Sequence, residues 1–181
     1  MTTAYYLAEI ARLFVAITLV VAVVAKCTSM KSFTLSLTDQ FRVPDAAGPT
    51  VAWGVIVVEA VVASAMLTTV EEVVDWGARA ALLLFAVFGV LIAAVLARRQ
   101  PVYCYCFGEA TQPLGRADLV RNLSLVGACV LAIRQGAGEA SLAFGTWSAL
   151  AAAALITFLM SAHLANVAHL LAPPAEGSSL G

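Results

Sequence analysis

Twenty residues from Ala78 to Ala97 carry a single charge, Arg79 at the start, and Val51 to Val70 is interrupted only by Glu59. A hydrocarbon core of about 30 Å is crossed by about 20 apolar helical residues, so each run has the length and character of a membrane span. Further apolar runs extend from Phe14 to Ala25, Leu119 to Ile133 and Trp147 to Leu171. The chain is 62% hydrophobic and 12% charged over 181 residues, with a mean hydropathy of +0.95. Soluble domains do not reach such values. The expected fold is all-α, an integral membrane bundle of about five transmembrane helices with little room for a soluble domain. A formal net charge of −1 supplies no basic surface for nucleic acid, and the lipid bilayer is the first partner implied.

Expected spans cover about 5–25, 51–70, 78–97, 118–134 and 147–171, forming one transmembrane domain over 1–172 with a flexible tail at 173–181. Tyr5 and Tyr6 place the start of the first span in an interfacial aromatic belt. A cleaved signal peptide is the rival there, disfavoured because the leading segment pairs Glu9 with Arg12 instead of being plainly basic. Between Cys27 and Pro49 the sequence turns polar, a loop with a short surface helix from Met30 to Phe41 that Pro44, Gly48 and Pro49 bring to an end. Glu71, Glu72, Asp75 and Trp76 read as a tight interfacial turn. The 118–134 span is the weakest, being short with Arg121 and Asn122 in its first turn. With five spans, the connections after the first and third and the end of the fifth share a membrane side. Those places hold Cys27, then Cys104 and Cys106, then His163 and His169.

Cys104 and Cys106 form a Cys-Tyr-Cys triplet followed by Phe107 and Gly108 at a membrane boundary. Two thiols this close point to thiol–disulfide exchange, because a bridge across one residue closes a small, readily reduced ring. Loop cysteines that stay reduced or are lipidated are the plainer alternative, and a thiolate pair also suits Cu(I). A zinc site would need two more ligands from Cys27 and the histidines, so no metal is assigned. Cys27, beside Lys26, is either a third thiol of a relay, favoured as thiolate by the ammonium, or a small residue at a helix end. Cys129 lies inside a span and reads as packing.

Glu59 is the one acidic residue well inside a span, where a lone carboxylate is costly. Its expected partners are Lys26 and Arg121, as a structural ion-pair network or a proton-transfer site. His163, Asn166 and His169 recur every third residue and favour hydrogen bonding between helices over a shared metal.

The Cys-Tyr-Cys-Phe-Gly stretch resembles the MauE family, related to the DoxX-like membrane proteins. The shared features, in order, are Ala25 and Lys26 closing the first span, Glu59 in the second, Cys104, Cys106, Phe107 and Gly108 after the third, and Arg121 and Asn122 opening the fourth. The resemblance covers roughly residues 10–135 and implies a four-helix core, here followed by a C-terminal span. It also implies a membrane component of disulfide formation, as in maturation of methylamine dehydrogenase. Cys104 and Cys106 would then carry exchange with a thioredoxin-like, MauD-type partner on behalf of an exported client. Analogy with other disulfide-forming membrane enzymes adds a membrane quinone, for which the chain has no motif.

Charge and chemistry disagree about orientation. The cysteine side has Lys26, Lys31, Arg42, Arg98, Arg99, Arg116 and Arg121, the other side Arg12, Arg79 and Arg134, which by the positive-inside rule puts the cysteines in the cytoplasm. Disulfide chemistry on exported proteins belongs outside. The exterior of a bacterial inner membrane is the expectation, because Lys26 and Arg121 sit at span ends as partners for Glu59. A non-catalytic membrane scaffold or assembly factor is the competing function, and a small transporter using Glu59 a third.

Overall fold

In the computed structural model, the described residues are 3–39, 43–98, 115–135 and 151–156. Five helices account for most of them: α1 Thr3–Thr28, α2 Met30–Asp39, α3 Gly48–Leu67, α4 Glu71–Ala97 and α5 Arg116–Gln135. The all-helical membrane bundle is what the apolar runs imply. Backbone groups must be satisfied within each segment where no water is available.

The boundaries follow local chemistry. The first helix runs past Ala25 to Thr28, and the elbow into α2 is one residue long. Ser29 donates its N–H to the Ala25 carbonyl (3.0 Å) and accepts from Phe33 (2.9 Å), so hydrogen bonding continues through the bend. The turn Pro44–Ala47 leads into α3, which has Pro49 in its first turn, where the missing N–H costs nothing. Thr68 ends α3 with extended backbone, its hydroxyl donating to the Ala65 carbonyl at 2.9 Å.

Glu71, Glu72, Asp75 and Trp76 do not form the expected turn. They are the first turns of α4, and the α3–α4 connection is only Thr68–Val70. Carboxylates in a first turn face the positive end of the helix dipole, so the acidic cluster that resembles a break suits a helix start. The side chain of Asp118 similarly caps α5 by accepting the N–H of Gly115 at 2.9 Å.

The central helix is α1, which packs on α2, α3 and α5, while α4 packs on α3 and α5. In the most apolar window of each helix, 61% of α1 is buried, against 33% of α3 and 11% of α4. The core joins Phe14, Val15 and Leu19 of α1 to Met66, Phe85, Leu125 and Cys129 of the other helices. Ala154, from the short helical stretch at 151–156, belongs to the same cluster. The outer faces of α3 and α4 expose Trp53, Val57, Val61, Leu83, Val87 and Val90, a surface suited to lipid.

Among the described residues, three helices are long and apolar enough to cross a membrane, at Tyr6–Thr28, Gly48–Leu67 and Glu71–Ala97. The 20 residues of α5 reach about 30 Å, and this helix lies along α4 and α1 but carries Arg116, Asp118, Arg121 and Arg134. Most of the expected 147–171 span lies outside the described residues. The Arg12 to Thr68 hydrogen bond sets the start of α1 beside the end of α3, the short Thr68–Val70 connection turns the chain back into α4, and the Asn122 to Phe85 bond sets α5 against α4. The end of α1, all of α2, the start of α3, the end of α4 and the start of α5 therefore share one end of the bundle.

Candidate functional site

At that end lies the most deeply buried charge pair among the described residues. The Nζ of Lys26 donates to both carboxylate oxygens of Glu59 at 2.8 Å, and each residue is 1% exposed. Lys26 stands in the last turn of α1, and helical side chains lean toward the N-terminus of their helix. The ammonium is thus carried back into the bundle, to meet Glu59 from the middle of α3. Phe33 of α2 lies over it, its ring centroid 5.6 Å from Nζ.

The other candidate residues that the structure describes have their own surroundings. Cys27 is exposed while its neighbour Lys26 is buried, so the two side chains leave α1 in different directions. The Lys26 ammonium is engaged by both Glu59 oxygens. Arg121 pairs with Asp118 of its own helix at 3.6 Å. Asn122, 6% exposed, donates its amide to the Phe85 carbonyl at 2.7 Å, tying α5 to α4. Cys129 is fully buried in the core. Cys104, Cys106, Phe107 and Gly108 lie outside the described residues, as do His163, Asn166 and His169. In the sequence the Cys-Tyr-Cys triplet falls between the end of α4 and the start of α5, helix ends that share the end of the bundle where Cys27 is exposed.

Three features escape the sequence argument. Phe33 looks like one apolar residue of a polar surface helix, and only the contact with Lys26 distinguishes it. Gly89 is needed for the Asn122 bond: a Cβ there would sit 2.8 Å from the Asn122 amide nitrogen. A helical carbonyl lies beside the residue four positions on, so glycine at 89 opens the Phe85 carbonyl to a donor from outside. At the opposite end, Glu9 and Arg12 are buried within the bundle, at 4% and 5% exposure. Arg12 bonds Glu9 at 3.0 Å and the Thr68 carbonyl at 3.0 Å, clamping α1 to the α3–α4 turn. Their spacing of three marks a pair on one helical face but not its burial.

Comparison with known proteins agrees with this pattern. The family model described as methylamine utilisation protein MauE matches residues 4–135, the stretch from α1 to the end of α5. Methylamine utilization protein MauE of Paracoccus denitrificans is 38% identical over 159 residues, covering 84% of this chain and 83% of that protein. No solved structure matches. With the buried Lys26–Glu59 pair, the Asn122 clamp and the cysteine-bearing segment all inside the matched region, this membrane bundle belongs to the MauE family.

Proposed function

We propose that this chain serves methylamine utilisation as a membrane thiol–disulfide redox protein in which Cys104 and Cys106 are the exchanging pair. One observation carries the reading. The segment that holds both cysteines begins after α4 and ends before α5, at the end of the bundle where Cys27 is exposed and where the Lys26–Glu59 pair ties the final turn of α1 to α3. Two thiols in the sequence between helix ends that share one end of an apolar bundle suit exchange with a soluble domain on one side of the membrane.

The chemistry is thiol–disulfide exchange with a thioredoxin-like partner. A thiolate of the pair attacks the partner's disulfide, that S–S bond breaks and a mixed disulfide forms. The second cysteine then displaces the partner, which leaves as a dithiol while Cys104–Cys106 becomes the disulfide. The reverse sequence oxidises the partner. A membrane quinone would return the pair to the disulfide by accepting two electrons and two protons as quinol. The client is an exported disulfide-containing protein such as the small subunit of methylamine dehydrogenase, which places the thiols on the exterior of the bacterial inner membrane.

Trapping tests this directly. In Cys104→Ser and Cys106→Ser chains, one variant should accumulate a mixed disulfide with a thioredoxin-like protein, and both should stop client maturation. Normal client disulfides in both variants would end the redox reading and leave the assembly role. An impermeant thiol reagent should label wild-type thiols in intact cells, and protection until lysis would reverse the orientation.

A further inference from the structure

Helix α2 has no part in the thiol chemistry, yet its buried residues are Phe33 and Ser36. Phe33 is 4% exposed, and its ring over the Lys26 ammonium at 5.6 Å lies within the range of about 6 Å in which an aromatic face attracts a cation. The helix is also seated on α3. Thr34 and Thr38 crowd Gly48 so closely that a Cβ there would come within 3.2 Å and 2.8 Å of their methyl groups. Lys31, Leu35 and Asp39 form the outer face.

Among the described residues, the pair beneath α2 forms its hydrogen bonds within itself. Lys26 uses two of its three N–H donors, and each Glu59 oxygen accepts one hydrogen bond, both from that ammonium. Among the described residues neither side chain has a further hydrogen-bond partner. A buried pair with open hydrogen-bonding positions holds together through the low local dielectric and is readily invaded by water that reaches it.

We infer that Phe33 is the seal of this site: its ring closes the bundle over the Lys26–Glu59 pair, and α2 thereby governs access of water and water-soluble reagents to Glu59. The inference is independent of whether Cys104 and Cys106 exchange electrons. Truncating the ring vacates space beside two polar groups with unused hydrogen-bonding capacity. That is where water enters a protein interior, each molecule occupying about 30 Å³ in the liquid.

A water-soluble carbodiimide with an added amine tests the seal on the full-length chain in nanodiscs. Access yields either an amide at Glu59 with the added amine or a direct Lys26–Glu59 amide formed with loss of one water, both resolved by peptide mass spectrometry. Wild type should resist modification. Phe33→Ala should react at least about tenfold faster, Phe33→Val should fall between, and Phe33→Leu, which keeps most of the volume, should stay near wild type. Leu35→Ala, on the outer face at 60% exposure, should change nothing. If Phe33→Ala fails to fold, Phe33→Val decides. Resistance of Glu59 in a folded Phe33→Ala or Phe33→Val chain overturns the inference. So does equal acceleration by Leu35→Ala, or rapid modification of wild type.

Discussion

Removing the negative charge of Glu59 is the perturbation whose cost the structure constrains most tightly. Glu59→Gln keeps the side-chain shape and an oxygen to accept one Lys26 hydrogen, but strands an ammonium that is 1% exposed. Breaking a buried pair from one side costs about 3 to 5 kcal/mol. At roughly 2 to 4 °C per kcal/mol for a chain of this size, melting in nanodiscs should fall by about 6 to 20 °C. One process would reduce the loss: Lys26 is two residues from the end of α1, and a freed lysine can swing its head to water. Phe33 stands in that path, so the full cost is expected. A double-mutant cycle isolates the pair. Lys26→Met with Glu59→Leu removes both charges and should lie within about 1 kcal/mol of wild type, or above it. Loss below about 1 kcal/mol in Glu59→Gln, or a double variant as unstable as the sum of its singles, would refute the reasoning.

The same logic reaches the other helix contacts. Arg12→Ala strands buried Glu9 and frees the Thr68 carbonyl, so melting should show a loss of about 3 kcal/mol or more. Arg79→Ala, which breaks an exposed pair with Asp75, should cost under about 1 kcal/mol. Gly89→Ala should cost about 1 to 3 kcal/mol by driving Asn122 from the Phe85 carbonyl. Adding Asn122→Ala should then cost less than it does alone, because both changes remove one contact. In folded protein, maleimide should label Cys27 promptly and Cys129 only on unfolding, as their exposed and fully buried positions dictate. Prompt labelling of Cys129 would contradict the core packing.

Apolar length alone made the bundle legible, because hydrocarbon admits so few backbone solutions. Glu59 and Lys26 were legible as partners for the same reason: a charge deep in a span requires compensation. Arg121, proposed beside them on equal grounds, is paired with Asp118 within its own helix, a choice that helix rotation makes and residue type does not reveal. The start of α4 was misplaced because acidic clusters end apolar runs and also cap helices, and hydropathy records only the first effect. Burial of Glu9 and Arg12, the space at Gly89 and the contact made by Phe33 depend on which faces meet across helices. That information is absent from a single chain's pattern of apolar residues.

Polar attachments at both ends of α1 bear on how force can travel through the bundle. Arg12 is bonded to the α3–α4 turn and Lys26 to the middle of α3, 14 residues apart in the sequence and so about 21 Å apart along the helix axis. Sliding α1 like a piston, or rotating it, would break a buried ion pair at one anchor and an arginine bond at the other. The first helix is therefore the stator of the bundle. Elements with fewer ties to α1 are freer to shift against it, above all α4, which packs on α3 and α5 instead.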